Sequence, residues 1–134
     1  MTNTVHYYII YSSEQYIVFS NAQERGNMNA QYKKGVLELC VLSLLQERDC
    51  YGYDVSEILS KHIDISDGTV YPILRKLRSE GLVTIYLVEE SGGPPRKYYT
   101  LTDLGKKEYA QAKDEWLSFS ATVEKLLRGE FDND

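Results

Sequence analysis

The sequence predicts a mainly α-helical chain with a small β-hairpin, closed by a long helix whose apolar seam needs a covering surface. Three observations predict it. Apolar residues recur at helical spacing in four segments from Lys33 onward, as they do in helices with a buried face. Between the third and fourth segments, LVTIYLVEE and RKYYTLT flank SGGPP, and β-branched and aromatic runs around a Gly-Pro tip signal a hairpin. The last segment spaces Tyr109, Ala112, Trp116, Phe119, Val123 and Leu126 alternately by three and four, which is an a/d seam.

With 43% hydrophobic and 26% charged residues in 134 positions, the composition is that of one folded domain plus an extension, not of a disordered chain. The 15 Lys and Arg stand against 20 Asp and Glu, a net charge of -5. That balance argues against indiscriminate coating of nucleic acid, although a local basic face on an acidic molecule still binds phosphate. Cys40 sits in an apolar run and Cys50 in a polar turn, with no secretory signal before them. Reduced thiols and a cytoplasmic protein are expected. The longest apolar runs, YYIIY and VLSLL, fall far short of the ~20 residues of a membrane-spanning helix.

Residues 1–27, MTNTVHYYIIYSSEQYIVFSNAQERGN, are rich in Tyr, Ile and Ser, with few charges and no helical period. They read as an appended leader, in which a lone strand over 16–19 would find little to pair with. Gln23, Glu24, Arg25 and Gly26 can all be encoded by purine-rich codons resembling a bacterial ribosome-binding site. Met28 is therefore the expected natural start.

Residues 33–48, KKGVLELCVLSLLQER, form a helix that is apolar nearly all round: Val36, Leu37, Cys40, Val41, Leu44 and Leu45, with Leu39 and Leu42 on other sides. Such a helix has to be covered from two directions. The turn DCYGY leads to a short helix over 54–62, with Val55, Ile58 and Leu59 on one face. The stretch 66–83, SDGTVYPILRKLRSEGLV, is the third helix. Ser66 fits an N-cap, with Asp67 at the positive end of the helix dipole. Thr69 is a rival cap, favoured by Pro72, because proline in the first turn sacrifices no intrahelical bond. From either start, Val70, Ile73, Leu74 and Leu77 form the inward stripe and Gly81 the stop. Gly68, Pro72, Arg75 and Ser79 then face outward, flanked by Tyr71 and Lys76. The hairpin carries Arg96 and Lys97 at its tip, and Thr102 with Asp103 caps the final helix.

Three helices followed by a hairpin, the third helix basic on one side, describe a winged helix-turn-helix over 28–101. A C-terminal dimerisation helix over 102–130 and an acidic tail over 131–134 complete the chain. Small residues let a helix approach the floor of the major groove, while Arg and Lys reach base edges or phosphates. The expected DNA contacts are Gly68, Thr69, Tyr71, Pro72, Arg75 and Lys76 on the helix, and Arg96 and Lys97 on the wing. In isolation Arg75 and Lys76 would read as solvated surface; this context reverses that reading. Tyr71 suits the core or the groove equally, and of Tyr98 and Tyr99 one packs inward.

The succession YGYDV, GTVYPILRKLRSEGLV and GGPPRKYYTLTDLGKKEY closely resembles the PadR family of bacterial and archaeal transcriptional regulators, over 28–127. The Gly-Thr-x-Tyr-Pro helix combined with the Arg-Lys-Tyr-Tyr wing is specific, and a single helix after the wing resembles the smaller subfamily. The resemblance implies a homodimer, built by final helices packing on the partner's first helix. Such a dimer binds a palindromic double-stranded DNA operator and usually represses. It also implies a ligand role for Trp116, since some drug-responsive members stack flat aromatic or phenolic effectors on a Trp at this place in the final helix. The leader departs from the family pattern.

The alternative is a winged-helix protein-interaction module without DNA binding, which the acidic balance permits. His6 and His62 lie far apart, without the Cys or carboxylate spacing of a metal site. No nucleophile elbow, phosphate loop or metal-hydrolase motif is present. Neither metal, cofactor nor catalysis is expected.

Overall fold

The computed structural model describes residues 6–10, 16–20, 25–90 and 92–132, with side chains from residue 35 onward apart from Asp67. Residues 21–24, the Asp67 carboxylate and Asp134 lie outside the described residues. Strands β1 (His6–Ile10) and β2 (Tyr16–Ser20) pair antiparallel with each other, Tyr8 opposite Val18. The expectation of an unpartnered strand is thus corrected: two short runs of β-favouring Tyr, Ile, Val and Phe partner one another. Helix α1 (Arg25–Glu47) begins earlier than the periodicity implied, so the boundary at Met28 falls within its first turn.

Helix α1 touches α2 (Gly52–Ser60), α3 (Asp67–Ser79), β5 (Arg96–Leu101) and α4 (Asp103–Leu127). So many neighbours require a wide buried arc. Leu42, assigned to another side, joins Leu37, Val41 and Leu45 in the core. Val36, Leu39, Cys40 and Leu44 are only half-buried. Next to α1, DCYGY is not a polar turn but contains strand β3 (Cys50–Tyr51), whose Cys50 pairs with Tyr99 and is 3% exposed. Burial pushes the Cys50 thiol pKa up.

The wing is correspondingly a three-stranded antiparallel sheet in the order β3-β5-β4, with β4 at Val83–Val88. Tyr51, Tyr98 and Tyr86 stand opposite one another across it. The Tyr86 and Tyr98 rings stack at 5.8 Å, and the Tyr86 hydroxyl donates to Asp49 Oδ2 at 2.7 Å. Strand alternation turns Tyr99 into the core and leaves Tyr98 half-buried, one inward and one outward as expected.

Helix α3 starts directly after Ser66, whose backbone has the extended N-cap conformation. The Ser66 hydroxyl does not cap an amide; it shares a 3.2 Å hydrogen bond with the Thr69 hydroxyl. Pro72 therefore lies inside the helix. Lacking an N–H, it leaves the Gly68 carbonyl without its intrahelical donor. Val70, Ile73, Leu74 and Leu77 are buried, as the stripe predicted. At the far end, Gly81 takes φ +78°, Leu82 N–H donates to Leu77 O and Gly81 N–H to Arg78 O. This is a Schellman stop, in which only glycine adopts the left-handed turn without strain.

An exposed cationic helix face, a wing and a half-covered helical seam

Folding brings most of the expected contact residues to one surface. Gly68, Pro72, Arg75 and Ser79 are all exposed on α3, and Thr69 is half-buried beside them. A β-carbon added at Gly68 would meet nothing within 4 Å. Internal packing therefore does not explain this glycine. Tyr71 is 39% exposed and lies at the edge of the same face, its ring beside Gly52, where a β-carbon would sit 3.1 Å from it. The question of core or groove for Tyr71 resolves to a position between them.

Tyr71 also lines a cleft of about 580 Å³ between α3, the β3–α2 corner and the wing loop, with Arg96 and Lys97 on its opposite wall. These two cations open strand β5, opposite Val88 and Leu87, and so stand at the base of the wing loop and not at its tip. The Arg96 guanidinium lies 4.8 Å from the Tyr51 ring centroid and its Nε 3.3 Å from Glu90 Oε1. Among the described residues Lys97, Arg75 and Arg78 hold no ion pair.

Lys76 behaves differently from its neighbour Arg75. Its ammonium donates to both carboxylate oxygens of Glu38 on α1, at 2.9 and 2.8 Å, and lies 3.7 Å from Glu80. Partial burial alone would lower the Lys76 pKa, but the hydrogen bond and charge of Glu38, with Glu80 adding to them, hold it above the usual lysine value. Sequence reasoning missed Glu38, Glu90 and the Tyr51-Gly52-Tyr53 corner. A glycine between two tyrosines at a helix start was the one local signal for that corner. Nothing local marked the two glutamates.

Helix α4 is capped as expected: the Gly105 N–H donates to Thr102 Oγ1 at 2.9 Å, and Thr102 Oγ1 donates to Gly81 O at 2.7 Å. Beyond that anchor it is poorly covered, with Gly105 its one buried residue. Tyr109, Ala112, Trp116 and Val123 are half-buried, while Phe119 and Leu126 are 38% and 42% exposed. Among the described residues no group of His, Cys, Asp and Glu gathers in a metal-binding cluster, and no helix is long and apolar enough to cross a membrane.

Three helices, a three-stranded wing and a small, cationic outward face on α3 define a winged-helix regulator of transcription. The chain belongs to the PadR-like family of transcriptional regulators, whose profile matches residues 41–111. That family comprises regulators, not enzymes. The crystal structure of a PadR-like transcriptional regulator from Bacillus cereus is similar at 41% identity and TM-score 0.68, covering 75% of this chain and 99% of that one. A PadR family regulator from Eggerthella lenta is similar at 36% identity and TM-score 0.65, covering 76% and 90%. The negative transcriptional regulator PadR of Bacillus subtilis is 31% identical over 100 residues, 72% of this chain and 53% of that protein. The match thus spans about half the length of the B. subtilis protein.

Proposed function

We propose that this chain is a cytoplasmic repressor that binds a palindromic operator as a homodimer and is released by a flat aromatic or phenolic effector. The observation that carries the DNA reading is the outward face of α3. It is built of Gly68, Pro72, Arg75 and Ser79, and the space beyond Gly68 is left open. A duplex uses such space: the helix backbone approaches the groove floor and Arg75 reaches base edges. Thr69, Tyr71, Arg96 and Lys97 flank this face and would hold the sugar-phosphate backbone.

Dimerisation is supported by two surfaces short of cover, the seam of α4 and the half-buried side of α1 at Val36, Leu39, Cys40 and Leu44. The seam has fewer heptads than an isolated coiled coil needs, so its burial calls for the first helix of a second copy as well as its final helix. Repression is supported by the description of the B. subtilis relative as a negative regulator. The effector reading rests on half-buried Trp116 in the seam, whose ring offers a flat apolar surface at the centre of such a dimer. In this reading residues 28–101 bind DNA, 102–130 dimerise, and 1–27 and the tail are dispensable for both.

Genomic fragments recovered on the purified protein, and then titrated with it across salt concentrations, test the proposal. A palindromic consensus and a steep fall of affinity with salt are expected, because each neutralised phosphate releases counterions. Recovery of no preferred fragment, with no salt-dependent binding, would instead favour the protein-interaction module.

A further inference from the structure

We propose that Glu38 sharpens the DNA selectivity of α3 by withholding the Lys76 charge from phosphate. This rests on the reading of α3 as the DNA-facing helix. Of the cations on α3, Arg75 and Arg78 hold no ion pair among the described residues, whereas Lys76 is gripped by both oxygens of Glu38 and has Glu80 at 3.7 Å. The Glu38 side chain is 19% exposed and that of Lys76 45%. A phosphate that recruits Lys76 must strip it from a bidentate partner, and would leave the more buried carboxylate unpaired beside a polyanion. Both consequences oppose the exchange.

Non-specific DNA affinity is largely a sum of lysine and arginine contacts to phosphate. Specificity is the difference between that sum and the affinity for the right site. Holding one cation of the reading helix back lowers the non-specific sum while leaving Arg75 free to reach a base. Glu38 thus acts as a specificity-determining residue from α1, without itself touching DNA. The same pair ties α3 to α1, so the orientation of the reading helix and the reserve of its charge share one contact.

The test uses the full chain and a mixed-sequence duplex about three helical turns long, spanning two half-sites one turn apart with flanks. Binding is titrated across salt for the native protein, Glu38→Gln, Lys76→Gln and the double variant. Glu38→Gln should bind the mixed sequence more tightly. Its log–log salt slope should steepen by about 0.9 for each subunit engaged, an extra loss of about 3.5-fold between roughly 50 and 200 mM salt. Lys76→Gln should leave the native slope unchanged, and adding Glu38→Gln to it should add nothing. A native slope that flattens in Lys76→Gln overturns the proposal, and does so even if Glu38→Gln does not fold. So does an unchanged slope in folded Glu38→Gln, or an equal gain with and without Lys76, which would mark a general effect of removing negative charge. A native protein that binds no duplex at low salt overturns the DNA reading itself, and this proposal with it.

Discussion

The Thr102 N–H donates to the Leu82 carbonyl at 3.1 Å, and one turn on, Gly105 packs its α-carbon against that same oxygen. A β-carbon at Gly105 would collide with the Leu82 carbonyl. The start of α4 is thereby set against the junction of α3 and β4. In an exposed helix interior, Gly→Ala stabilises by about 1 kcal/mol; here the sign reverses. Gly105→Ala should cost about 1–3 kcal/mol through overpacking against backbone that cannot yield, read as a lower melting temperature.

Gly68→Ala provides the opposite case. Its β-carbon would enter open space, so the fold should keep its stability or gain up to about 1 kcal/mol from helix propensity. Operator affinity should nevertheless fall, because the added methyl group stands between α3 and the groove floor. Thermal denaturation and operator titration on the same sample check both halves; unchanged operator affinity would remove Gly68 from the contact surface.

Arg75→Ala should weaken binding to the recovered operator by about 1–3 kcal/mol more than binding to mixed-sequence DNA, as loss of a base-edge contact does. Lys97→Ala should weaken both alike, since a phosphate contact carries no sequence information. Parallel titrations on the two duplexes separate the cases. Equal losses for Arg75→Ala would make it a phosphate contact.

Val123→Asp places a carboxylate in the α4 seam. If that seam is the dimer interface, an unpaired buried charge of this kind costs about 3–5 kcal/mol, and light scattering should report monomers. Operator binding should collapse with the basic helix untouched, because two half-sites need two linked subunits. Trp116→Ala should bind the operator normally without effector and lose most of its response to planar phenolic or cationic aromatic probes, followed by release of labelled operator. A monomer that binds fully, or an unchanged response, would contradict the respective half.

The order of the four helices and of strands β4 and β5, the inward stripe of α3 and the outward set Gly68, Pro72, Arg75 and Ser79 were legible in the sequence. So were the α4 seam and its Thr102 cap. Each is written in spacings of two, three or four residues, because side-chain direction repeats with the local backbone period. The same local chemistry marked Gly81 as the stop of α3, which takes φ +78°.

Only the tertiary structure decided what depends on residues far apart in the chain. Cys50 became a buried strand residue because Tyr99 of β5 pairs with it, and a two-residue strand has no period to betray it. Pro72 stands inside α3 although its chemistry favoured a later start: the helix begins at Asp67, and the Thr69 N–H donates to the Ser66 carbonyl at 3.0 Å. Arg96 turned toward Tyr51 and Glu90, an arrangement that rests on pairing between strands distant in the chain. Lys76 and Arg75 are adjacent and alike in the sequence. Their difference arises from Glu38, 38 positions away, and a contact between two helices leaves no trace in the local pattern of either.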